Sequence, residues 1–95
     1  MQLQFSGELI HWRGPAPFHF VAVPEAESAA IRDVAPMVTY GWGVIPVRAR
    51  IRGTEWTTSL FPKDGGYLVP VKVAVRRATK VELGDVVPLS LTLDV

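Results

Sequence analysis

Apolar and charged residues alternate along Val44 to Arg52, with Val47, Ala49 and Ile51 on one side and Arg48, Arg50 and Arg52 on the other. A period of two is that of a strand with one buried and one charged face. Gln2–Arg13 and Phe18–Val23 are rich in aromatic and β-branched residues. The Gly14-Pro15-Ala16-Pro17 stretch between them cannot continue a ladder, so the pattern predicts two strands around a turn. Trp56–Phe61 predicts a further strand, Asp64-Gly65-Gly66 a hairpin turn, and Tyr67-Leu68-Val69 the returning strand. After Gly84-Asp85, Leu89, Leu91 and Leu93 alternate with Ser90 and Thr92 in a last strand.

Two segments break this period. Pro24 to Asp33 is alanine-rich, with a proline suited to a first helical position and Glu25 and Glu27 where the helix dipole favours acids; Pro36 is expected to limit that helix. Pro70 marks a second helix start, after which Val71, Ala74, Val75 and Ala78 recur at helical spacing. Lys72, Arg76 and Lys80 lie four residues apart on a separate face.

The two halves repeat one another. A shift of 46 residues lays Gly7 on Gly53, Val23 on Val69 and Pro24 on Pro70, and superposes the predicted helices. A shift of 42 lays Val44-Ile45-Pro46-Val47 on Val86-Val87-Pro88-Leu89. A unit too small to close its own core gains by pairing with a twin. The expectation is one domain over residues 1–95, built from strand-strand-helix-strand units at about 1–51 and 45–95 that share the central strand region.

At 95 residues, 48% hydrophobic and 20% charged, the composition is that of an ordinary globular domain. A domain of this size buries about 60–70% of its unfolded surface, so a homodimer covering apolar surface would add stability. The absence of cysteine excludes disulfides, thiolate nucleophiles and cysteine metal sites, and suits a reducing compartment. The chain begins without a basic patch followed by an apolar run, and no run approaches the length of a membrane helix, so the expectation is a cytoplasmic protein with no membrane partner. Net charge is +1 but unevenly spread. Arg48 to Lys80 carries eight basic residues (Arg48, Arg50, Arg52, Lys63, Lys72, Arg76, Arg77, Lys80) against Glu55 and Asp64, a balance of +6. The remainder carries Arg13 and Arg32 against seven carboxylates, a balance of −5. Such asymmetry points to an anion-binding face.

At Gly41-Trp42-Gly43, from Thr58 through Asp64-Gly65-Gly66 to Val71-Lys72, and at Val75-Arg76-Arg77, the chain resembles a bacterial family of domains of unknown function, DUF1905. The resemblance covers nearly the whole sequence. It implies a mainly β fold with two short helices, a double-split β-barrel with pseudo-two-fold symmetry, distantly similar to AbrB- and MazE-type DNA-binding half-barrels. In that group the half-unit is a strand ending in proline, a basic helix and Gly-Asp before a strand, which Leu68-Val69-Pro70-Val71-Lys72, Arg76 and Gly84-Asp85 match. The first half departs from it, with Glu25 and Glu27 in place of basic residues after Pro24 and Gly43 in place of the aspartate. The resemblance carries no catalytic roles. Family members often carry an additional C-terminal helical domain resembling bacteriocin-protection proteins.

His11 and His19 fall on the first two strands, and nothing in their spacing places a carboxylate or second ligand beside them; no metal or cofactor is expected. Ser59 lacks a nucleophile elbow, Asp64-Gly65-Gly66 lacks the Lys-Ser or Lys-Thr of a phosphate loop, and the carboxylates are scattered singly, so an enzyme is the class least supported. Trp42, Trp56, Phe61 and Tyr67 either fill a small core or offer an aromatic face to a ligand. Arg48, Arg50 and Arg52 are either a solvated face that discourages edge pairing or an anion-contact row. The leading expectation is a binding module for a small anionic or planar ligand, or a protein partner, contacted by Trp42, Arg48, Arg50, Trp56, Tyr67, Lys72 and Arg76. An AbrB-like nucleic-acid-binding domain is the alternative.

Overall fold

The alternation along the arginine-bearing strand carries directly into three dimensions: over Ile45–Ile51 every odd residue is buried and every even one exposed. A computed structural model describes residues 1–13, 18–39 and 43–95. Its elements, in chain order, are β1 (Gln2–Trp12), β2 (Phe18–Ala22), α1 (Glu25–Val38), β3 (Ile45–Ile51), β4 (Thr54–Lys63), β5 (Gly66–Pro70), α2 (Val73–Thr79) and β6 (Val86–Thr92). The strands close into an antiparallel barrel in the order β1-β2-β5-β4-β3-β6. Neither helix is long and apolar enough to cross a membrane.

Two long strands make the closure. β1 pairs with β6 over Gln2–Glu8 and with β2 over Leu9–Trp12. β4 pairs with β3 over Thr54–Leu60 and with β5 over Phe61–Lys63. Exchanging β1, β2 and β3 for β4, β5 and β6 leaves every neighbouring pair in the ring unchanged. The inward residues of all six strands form one core with Val23, Ile31, Val71, Val75 and Val81, and its fully buried members include Leu9, Val21, Ile45, Ala49, Ile51, Leu60, Val69, Val87 and Leu91.

The hairpins follow their turn residues. Arg52-Gly53 joins β3 to β4 and Asp64-Gly65 joins β4 to β5, and all four residues have positive φ. That is the signature of the two-residue type I′ turn, whose twist matches that of the flanking strands.

The helices differ from the sequence expectation at their ends. Pro36 does not stop α1, which runs through it to Val38. It sits in the last turn, where the missing N–H releases only one carbonyl and the helix ends before further bonds are needed. Thr39 closes the helix, its backbone N–H donating to Ala35 O at 2.7 Å. Pro70 does not open α2. It ends β5 opposite Phe20, and the helix begins at Val73. Proline is tolerated at a strand terminus, and here its carbonyl accepts the Trp56 indole N–H at 3.3 Å. Ser28 and Ile31 fix α1 against the barrel, with Ser28 Oγ donating to Val23 O at 3.1 Å. α2 is held at its far end by Arg52, whose Nη1 donates to Thr79 O at 2.9 Å.

Gly7 lies where β1 leaves β6 for β2. A Cβ there would meet Val21 Cγ1 at 2.5 Å. Gly7→Ala is therefore expected to cost about 1–3 kcal/mol in denaturant unfolding. Adding Val21→Ala should make the double variant more stable than the sum of the two separate losses, because it removes the clashing methyl.

Candidate functional site

Strand register aligns outward side chains into two polar rungs across β1, β6, β3 and β4. One is Gln2, Thr92, Arg48 and Thr57; the next is Gln4, Ser90, Arg50 and Glu55. Together, apart from Thr57, they line a depression of about 300 Å³. Arg48 and Arg50 are exposed and occupy successive outward positions, so their Cα atoms stand roughly 6.5–7 Å apart along the strand. Neither makes an ion pair: among the described residues the one such pair joins Arg32 to Glu25 at 2.9 Å. Even Glu55, in register with Arg50, does not reach it. Arg52, third in the row, is turned instead to the C-terminal end of α2.

The other residues singled out from the sequence do not gather on this face. Trp56 points into the barrel and is 6% exposed, and Tyr67 is buried in the same core. Lys72 is exposed just before α2, where it shares a separate depression of about 460 Å³ with Glu55, Thr57 and the edge of Trp56. It thus stands across β4 from Arg50. Arg76 is half-buried on α2, and Trp42 lies outside the described residues. The arrangement joins Arg48 to Arg50, places Lys72 one strand away, and separates all three from Tyr67.

Phe61 leaves the aromatic group expected from sequence and joins another. Its ring is 6.4 Å from that of Phe18, which lies 5.8 Å from Trp12 and 5.4 Å from Phe20, while Lys63 Nζ sits 3.9 Å from the Trp12 ring centre. Phe20 is nearly covered, whereas Trp12 keeps 37% and Phe61 44% of its surface exposed. The cluster is a small apolar layer on the outside of the barrel.

A family model matches residues 5–91, which spans β1 from Phe5 to the Leu91 position of β6 and includes both helices. The chain belongs to the DUF1905 family, a domain of unknown function. No curated protein matches it.

The DUF1905 barrel also brings together two side chains that spacing alone kept apart. His11 and His19 are direct partners in the β1–β2 ladder, with ring centroids 4.6 Å apart and planes inclined by 34°. The signal was present: partners in an antiparallel hairpin have a constant sum of residue numbers, and Leu9 with Val21 fixes the sum that 11 and 19 satisfy. Burial holds His19 below the ordinary imidazole range, and the charges of Arg76 and His11 add to this. Arg76 Nε is itself buried and without a hydrogen-bond partner. Among the described residues no three His, Asp or Glu side chains gather as a metal site.

The depressed proton affinity of His19 has a consequence for stability. Below its ordinary value of 6.5 the unfolded chain takes up a proton that the folded chain refuses, so stability is full above that pH and falls on acidification until the folded-state value is passed. His19→Asn should flatten the corresponding part of a plot of unfolding free energy against pH. An unchanged slope would show that His19 does not carry it.

Proposed function

We propose that this DUF1905 domain is a binding module that holds a small anionic ligand on the outer face of β1, β6, β3 and β4, with Arg48 and Arg50 as its charged contacts. What carries this reading is the setting of the two guanidinium groups. They stand side by side without carboxylate partners, among Gln2, Gln4, Ser90 and Thr92, which offer uncharged donors and acceptors. A guanidinium fork is well shaped for carboxylate or phosphate oxygens.

The competing use of such a row is protection of an exposed strand edge. β3 is hydrogen-bonded to β4 on one side and β6 on the other, so its arginines guard no edge. An anionic ligand is favoured over a planar one because Trp56 turns inward, away from Arg48 and Arg50. The reading takes the barrel as two half-units, about 1–51 and 45–95, in which the second has become the basic one. The exchange symmetry of the strand order supports the two half-units, and it matches β3, the strand of Arg48 and Arg50, to β6.

A thermal-shift screen of nucleotides, phosphorylated metabolites and sugar acids tests the proposal. A stabilising compound is expected, with affinity falling roughly two- to tenfold on Arg48→Ala or Arg50→Ala, as suits exposed charged contacts. Arg77→Ala, on the exposed side of α2, should leave binding unchanged. The absence of any stabilising compound, or compounds indifferent to both changes, would overturn the reading. Retardation of duplex DNA that weakens steeply with salt would replace it with a nucleic-acid function.

A further inference from the structure

We infer that the anionic ligand of the β3 face is a sugar diacid, a six-carbon polyhydroxylated chain with a carboxylate at each end, lying along β3 with one end on Arg48 and the other on Arg50. The inference rests on the proposed anion-binding function and names the ligand class of that same site. Both arginines line one depression of about 300 Å³, so a single molecule can meet both. Their Cα atoms stand roughly 6.5–7 Å apart, and an extended chain of six atoms, like two residues of backbone, spans about the same distance.

The surroundings of the depression limit the ligand to two acids. Two further depressions continue it, one of about 310 Å³ that shares Arg48 and Thr92, the other of about 470 Å³ that shares Gln4, Arg50 and Ser90. A groove of this kind takes an elongated molecule lengthwise. The first extension contains Asp94, which repels a further acid. The second contains Arg52, whose Nη1 is already committed to Thr79 O. Arg48 and Arg50 are the two guanidinium groups left for acids.

Glu55 decides what lies between those acids. It lines the same depression, pairs with neither arginine and, as a carboxylate, can only accept hydrogen bonds. A ligand built of anionic oxygens alone meets it with like charge, whereas hydroxyl groups between the acids offer it donors. Gln2, Gln4, Ser90 and Thr92 complete the lining with side chains that both donate and accept, as hydroxyl groups do. Charge points the same way. Two carboxylates match two guanidinium groups one for one, each able to take the fork in bidentate fashion. A phosphate group carries about −1.5 to −2 at pH 7, more than one exposed arginine beside Glu55 offsets.

The experiment is a calorimetric titration of the full chain at pH 7 and low salt with three six-carbon chains: D-glucarate; D-gluconate, which lacks one carboxylate; and adipate, which lacks the hydroxyl groups. Glucarate is expected to bind tightest, roughly fivefold tighter than gluconate, the contribution of one exposed charged contact. Arg48→Ala and Arg50→Ala should each remove that advantage. Either change should affect gluconate less, since gluconate can use the arginine that remains. Glu55→Gln should narrow the gap between glucarate and adipate, because it removes the like charge that adipate meets. All three side chains are exposed, so the variants should melt at the wild-type temperature without ligand, which checks their folding. Glucarate and gluconate bound equally, or adipate bound as well as glucarate, would overturn the inference. If that binding still depends on Arg48 and Arg50, the anion site itself stands. Failure of glucarate to bind, while another anion from the thermal-shift screen binds through both arginines, would likewise overturn the diacid and keep the site. With no anion bound at all, the proposed function falls and this inference with it.

Discussion

A ring of six antiparallel strands can close only if some strands serve two neighbours at different points along their length, and in this barrel β1 and β4 carry that requirement. The change of partner falls after Glu8 in one and after Leu60 in the other. At the first crossing Gly7 removes the side chain that would otherwise meet Val21. Partner exchange also decides what the surface can offer. The first part of β1 places Gln2 and Gln4 beside Ser90 and Thr92, and so beside Arg48 and Arg50. Its last part places His11 against His19 and Trp12 against Phe18. One strand therefore contributes to the polar face, the histidine pair and the outer aromatic layer.

Much of the architecture was legible because strand alternation, turn residues and helix spacing each have a local cause. β3 was readable from its perfect alternation, and the Asp64-Gly65 turn from its need for positive φ. The two prolines were less informative than their chemistry suggests. Pro36 falls where a helix has few bonds left to lose, and Pro70 serves a strand end whose neighbour needs its carbonyl. The half of the candidate site on β3 was likewise visible as outward arginines. Its companions on β1 and β6 were not, because they come from strands some 40 or more residues away in sequence and meet β3 only through barrel closure. For Trp56 and Tyr67 the needs of a small core outweighed a ligand face already in the sequence, and the inward pleat places both in the core.

The two basic groupings differ physically. Arg48 and Arg50 lie in high-dielectric surroundings, where each charge is cheap to keep and each contact is weak. Arg76 and His19 lie partly inside the protein, where charge is costly unless matched. Arg52 links the two regions mechanically. It leaves the same strand as Arg48 and Arg50 yet terminates on the helix that carries Arg76.

The pairing of β1 with β6 has a bearing on how the chain reaches this state. It joins Gln2 to Thr92 and Leu3 to Leu91, among the most distant partners the sequence contains. A contact of that span pays a large loop-closure entropy and belongs to the slow end of folding topologies. During synthesis, one side of β1 must wait unpaired until β6 has been made. Its outward residues over that stretch, Gln2, Gln4, Ser6 and Glu8, are polar without exception, which keeps a waiting edge from recruiting other chains.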